Sequence, residues 1–69
     1  MLKNNLKHFR HTYEMNQTEF ATFLGVSQSH YNRWENQNLQ PTLEMAIKLS
    51  CKLKCNVNDL FEVIEIKTK

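Results

Sequence analysis

The stretch from Gln17 to Glu35, QTEFATFLGVSQSHYNRWE, holds the chain's one glycine at the point where two short helical patterns meet. Asn16 is a good N-cap for the first of them, and Glu19 three residues on completes a capping-box pattern. Phe20, Ala21 and Leu24 then share one apolar face. Gly25 supplies the positive φ that ends a helix at little cost. Val26 tucks inward, Ser27 caps the next helix, and Tyr31 and Trp34 give that helix an inner face from Gln28 onward. Gln28, Ser29, Asn32 and Arg33 are left pointing outward. Two helices held across so tight a turn leave the chain little choice but a small helical fold.

The remaining segments read the same way. A first helix is expected from Asn4 to Tyr13, with Leu6, Phe9 and Tyr13 on one face and Arg10 beside them. After Asn36 comes a loop, QNLQ. Pro41 and Thr42 open a fourth helix whose inward positions are Leu43, Ala46, Leu49, Ser50 and Leu53. Asn56 and Asp59 cap a short fifth helix over Asn58–Phe61, with Val57, Leu60 and Phe61 closing the core. The end of the chain, EVIEIKTK, changes period: Ile64 and Ile66 alternate with Glu65 and Lys67, as in a strand. A lone strand has no sheet to join in a helical domain. Either it frays, or it pairs with a second copy, helped by Leu39, Ile47 and Phe61. The expected organisation is a domain over residues 1–62 followed by a dimerisation tail over 63–69.

Sixty-nine residues make one domain, too small to bury more than about 60% of its unfolded surface, so dimerisation would add useful area. A 41% hydrophobic content with one glycine and one proline suits a folded helical chain. The net charge of +2 excludes a broad basic tail but allows a locally basic face. No run approaches the roughly 18 apolar residues of a membrane span, and MLKNNLKHFRH has no apolar core of a signal peptide. A cytoplasmic protein is expected. Cys51 and Cys55 are then reduced thiols acting as structural filler, since their i, i+4 spacing suits no disulfide within a helix. No metal site, cofactor or small-molecule ligand is indicated. There is no glycine-rich phosphate loop or Cys–His pairing of recognisable spacing, and little room for a pocket, so an enzyme is not expected.

A helix, a tight turn and a second helix with a polar outer face is the arrangement that enters the major groove of DNA. In this chain NQTEFATFLGVSQSHYNRWEN, then PTLEMAIKL, then VNDLF at the right distance, resemble the phage repressor/Cro-type helix-turn-helix, the XRE class. The resemblance covers about residues 4 to 61. It implies an all-α, five-helix domain, here with a short C-terminal strand, that binds double-stranded DNA as a homodimer on a pseudo-palindrome. The chain departs from the family twice. Gln37, Asn38, Leu39 and Gln40 stand where a glycine and basic residues are usual, and Lys54 stands where glycine is usual, which leaves the end of the fourth helix to be built differently.

Four residues are the candidate base readers. The amide of Gln28 can make two hydrogen bonds to the adenine edge, Ser29 is short enough to approach a base, and Asn32 and Arg33 lie one turn on, Arg33 able to grip guanine or a phosphate. Gln17, Asn36 and His30 are the candidate phosphate contacts, supported for Gln17 by the free N–H groups of a helix N-terminus. By resemblance, Gln17 also braces Gln28. The resemblance further implies a structural pair between Arg10 and Glu35. Lys3 and Lys7 add positive charge near the first helix. The expected function is a transcriptional regulator that represses by occupancy. The alternative is a protein-interaction module, such as an antitoxin that neutralises a partner.

Overall fold

The computed structural model describes residues 1–65. It contains β1 (Leu2–Asn4), α1 (Leu6–Thr12), α2 (Gln17–Leu24), α3 (Gln28–Glu35), α4 (Leu43–Lys52), α5 (Val57–Leu60) and β2 (Phe61–Val63). The capping signals hold. Asn16 and Glu19 form a reciprocal capping box at α2, the Ser27 hydroxyl accepts from the His30 N–H at 3.1 Å, and Thr42 accepts from the Met45 N–H at 3.2 Å. The Asn56 N–H donates to Asp59 at 3.1 Å in front of α5.

Helices α1 to α5 enclose a core of Leu6, Phe20, Ala21, Leu24, Tyr31, Trp34, Ala46, Leu49, Leu53, Leu60 and Phe61. Tyr31 meets Phe20 edge-on, with ring centroids 5.5 Å apart, and this contact joins α2 to α3. No helix among the described residues is long and apolar enough to cross a membrane.

Both ends of the chain differ from the sequence reading. The first helix starts at Leu6, not Asn4, because residues 2–4 are extended and form β1. The C-terminal strand therefore has a partner inside the domain: β1 and β2 pair antiparallel in the register Leu2↔Val63, Lys3↔Glu62 and Asn4↔Phe61. Ile64 continues the ladder, its N–H donating to the Met1 carbonyl at 2.7 Å. Phe61 belongs to this strand and not to α5, and β2 runs through the expected division at residues 62 and 63. Ile66 and Lys67 of the expected strand lie outside the described residues. On α4, Leu43 is 75% exposed, whereas an inward position was expected, because it sits on the first turn at the open end of the helix.

Four helix ends close through a residue at positive φ, and only one of the four is glycine. Gly25 has φ +80; Glu14, Gln37 and Lys54 have φ of 56, 63 and 55 after α1, α3 and α4. Lys54 thus adopts the conformation a glycine would take, and the Cys55 N–H donates to the Ser50 carbonyl at 3.0 Å to finish α4. The end of α4 is built in the usual way, with the side chain bearing the strain of a left-handed backbone. Replacing Lys54 with glycine should therefore raise stability by about 0.5–1 kcal/mol, less than the full strain because glycine loses more backbone entropy. Urea unfolding of Lys54→Gly checks this; an unchanged or lower midpoint would show that Lys54 is unstrained.

Candidate nucleic-acid interface

Helix α3 presents Gln28, Ser29 and Arg33 to solvent, with Asn32 half-buried beside them. Gln28 is the first residue of the helix. The Thr18 hydroxyl, from the first turn of α2, donates to the Gln28 Oε1 at 2.9 Å. That bond fixes the amide while leaving its N–H groups and a second lone pair on the oxygen, the set needed to engage an adenine edge. Arg33 makes no ion pair or hydrogen bond through its side chain among the described residues, so its five donors are open. Asn32 accepts from the Asn36 amide at 2.6 Å, which ties this row to the C-cap of α3.

Gln17 does not brace Gln28. Its amide nitrogen donates to Glu35 at 3.0 Å, and Thr18 takes the bracing role. The two tasks fall on adjacent residues of α2, which point about 100° apart: Gln17 is half-buried and turned to Glu35, while Thr18 faces the start of α3. Gln17 still stands at the N-terminus of α2, where backbone N–H groups are open to an anion. His30 is exposed but leans toward the α3–α4 loop, edge-on to Trp34 with ring centroids 5.0 Å apart. With Leu39, Gln40, Pro41, Thr42 and Met45 the two rings line a cavity of about 230 Å³. Tyr31 and Trp34 are core residues, 0% and 2% exposed.

Beneath this face lies the Arg10–Glu35 pair. The guanidinium grips the carboxylate with two bonds, Nε to Oε2 at 2.9 Å and Nη2 to Oε1 at 3.1 Å. The Tyr31 hydroxyl adds a bond of 2.6 Å and Gln17 adds its own, so α1, α2 and α3 meet on one carboxylate. The Glu35 side chain is only 4% exposed. Burial alone would raise its pKa, but donation by Arg10, Tyr31 and Gln17 outweighs that and holds the carboxyl down at about 2. Burial, with the anionic Glu35 as its neighbour, pushes the Tyr31 phenol well above its ordinary range. The exposed residues of α3 therefore rest on a clamped support.

A second support passed unseen in the sequence. Asn4 is buried, and its side-chain amide donates to the Trp34 carbonyl and to Gln40 Oε1, both at 2.8 Å. Its Oδ1 accepts from the Leu6 N–H at 3.1 Å. The Gln37 amide bonds the Asn4 backbone on both sides, accepting its N–H at 3.1 Å and donating to its carbonyl at 3.0 Å. Gln37 and Gln40, standing where basic loop residues were expected, are thus committed to β1. Positive charge instead stands beside them on Lys3 and Lys7, which line a cleft of about 440 Å³ with His8, His11, Asn4, Asn5, Glu35 and Gln37. The sequence signal for Asn4 is a short polar residue just before an apolar helix start at Leu6.

Cys51 is exposed and Cys55 half-buried, both free thiols. Burial and the nearby Asp59 carboxylate raise the Cys55 pKa, which leaves it a weak nucleophile.

The family model described as helix-turn-helix matches residues 6–60 of the chain. Among solved structures, a candidate DNA-binding protein from Bacteroides fragilis superposes with a TM-score of 0.76 at 24% identity, covering 90% of this chain and 100% of that one. At that identity the likeness concerns the fold. No curated protein sequence matches the chain significantly.

Proposed function

The chain belongs to the helix-turn-helix family, in the XRE class, and we propose on that footing that it is a sequence-specific regulator that binds double-stranded DNA with α3 in the major groove. The observation that carries this reading is the outer row of exposed Gln28, Ser29 and Arg33 with half-buried Asn32, on a helix clamped through Glu35, with Thr18 holding the Gln28 amide in place. Base edges are read by Gln28 and Arg33, with Ser29 and Asn32 between them. The α2 N-terminus at Gln17, together with Asn36, His30, Lys3 and Lys7, meets phosphates. The solved neighbour from Bacteroides fragilis, described as a candidate DNA-binding protein, fits this use of the fold.

A domain of this size covers one half-site. The functional unit is therefore a homodimer on a pseudo-palindrome, with half-sites about 34–36 Å apart, one turn of DNA. Occupancy of such a site blocks transcription, so repression is the simplest outcome.

Gln28→Ala should weaken binding by about 1–3 kcal/mol and relax preference at a single base pair. Lys3→Ala should weaken all sequences alike and lower the salt slope by about one phosphate contact. Fluorescence anisotropy on a panel of duplexes with single base-pair changes separates the two. If Gln28→Ala keeps both the affinity and the preference of the parent, α3 does not read bases through its N-terminus.

A further inference from the structure

Thr12 and Thr18 both stand exposed on helices, and their hydroxyls do different things. Thr12, at the end of α1, turns back: its hydroxyl donates to the His8 carbonyl one turn earlier at 3.0 Å, the common bond of a threonine within a helix. Thr18 has no such carbonyl behind it. It is the second residue of α2, so the residue one turn earlier is Glu14, outside the helix at φ 56. The next carbonyl along, that of Met15, already accepts from the Arg10 guanidinium at 3.1 Å. The Thr18 hydroxyl crosses instead to α3 and donates to Gln28 Oε1 at 2.9 Å. Its β-branch restricts χ1, so the hydroxyl has a preset direction.

Among the described residues Gln28 makes no other side-chain bond. A glutamine on an exposed helix turn has several rotatable bonds, and ordering it has a large entropic cost. Here that cost is met before any base arrives. Two bonds between α2 and α3 divide the work: Gln17 to Glu35 on the more buried side joins the helices, and Thr18 to Gln28 on the outer side holds one amide. A two-bond contact to a base edge needs the amide coplanar with the base, so its plane, and not only its reach, decides which base it fits.

We propose that Thr18 is a specificity-determining positioning residue, whose hydroxyl holds the Gln28 amide in the plane that fits one base pair and rejects the others. This rests on the reading of α3 as the base-reading helix and assigns how that reading is made selective. Thr18 acts through Gln28 and not on a base. With one lone pair of Oε1 taken by the hydroxyl, the other lone pair and the Nε2 N–H groups match the N6–H and N7 of adenine. A freed amide can swing until its N–H groups suit N7 and O6 of guanine as well. Discrimination then falls although no contact group has been lost. Holding the amide in its bound conformation also favours binding at the matched pair.

Thr18→Val keeps the size and the β-branch and removes the hydroxyl, whereas Thr18→Ser keeps the hydroxyl; both leave the Asn16–Glu19 capping box in place. Anisotropy with the full chain uses the duplex enriched from a random pool, each position changed in turn to every other base pair, and Gln28→Ala locates the pair that Gln28 reads. At that pair Thr18→Val should lose about tenfold of the parent's preference, with the other pairs and the salt dependence unchanged, and Thr18→Ser should retain most of it. A second readout needs no DNA. The Gln28 side-chain amide should show a restrained heteronuclear NOE in the parent and in Thr18→Ser, and a mobile one in Thr18→Val. Unchanged preference in Thr18→Val overturns the proposal. So does a loss spread evenly over all pairs, or a parent amide as mobile as that of the valine variant. A parent without preference at any pair defeats the reading of α3 itself. A preference that falls in Gln28→Ala but survives in Thr18→Val defeats the assignment to Thr18 alone.

Discussion

Glu35→Ala is expected to lower stability by about 3–5 kcal/mol, because it strands Arg10 in a largely dry position and removes the acceptor of Tyr31 and Gln17. For a chain of 69 residues that is a large part of the total, which for domains of this size is of order 3–10 kcal/mol. A double-mutant cycle with Arg10→Ala should show strong coupling; additive losses would mean that the pair is not a unit. The same carboxylate makes stability depend on acid. Its pKa in the folded chain, about 2, lies below its ordinary 4.5, so the folded state holds the proton more weakly than the unfolded one. That contribution, on the order of 3 kcal/mol, is complete above pH 4.5 and is lost as pH falls toward 2. In Glu35→Gln, chemical denaturation between those values should lose its dependence on this group. A parent protein as stable at pH 2 as at pH 5 would contradict the assignment.

Asn4→Leu should cost about 2–3 kcal/mol. It leaves the buried Leu6 N–H without a partner, at about 1–3 kcal/mol for an orphaned group, and takes one of two bonds from the Trp34 carbonyl, which keeps the Gln37 N–H at 3.0 Å. Leucine is close to asparagine in size, so the loss would come from hydrogen bonds and not from volume. The backbone bonds to Gln37 survive the change, and β1 should stay paired. A thermal melt of Asn4→Leu within a degree or two of the parent would show that the Asn4 network is ornamental.

How far these features could be read from the sequence follows from their range. Caps, turns and helix faces are set by residues three or four apart, and Asn16, Glu19, Gly25, Ser27 and Thr42 announced α2, α3 and α4 correctly. The pair Arg10–Glu35 spans the core but came from a resemblance that already carried the fold. What the sequence hid was non-local. Leu2–Asn4 gave no strand signal, since three residues hold too little periodicity, and the extended state of Asn4 is imposed by Phe61 across the ladder and by Gln37 from the α3–α4 loop. With β1 unseen, the C-terminal strand had to look outside the chain for a partner. The exchange of roles between Gln17 and Thr18 was hidden for a related reason. Adjacent residues on a helix point about 100° apart, and which one meets Gln28 depends on how α2 crosses α3. Lys54 shows the converse: the backbone requirement was legible, and the chain met it with a residue ill suited to the conformation.

The claim that α3 reads DNA is tested most directly by selecting bound duplexes from a random pool with the full chain, alongside a Gln28→Ala, Arg33→Ala double variant. The parent should enrich a pseudo-palindrome whose half-sites are centred about 10–10.5 base pairs apart, and the double variant should lose preference at the positions read by those two residues while remaining folded. A pool returned without enrichment, or an enriched site that the double variant selects equally well, would contradict the account.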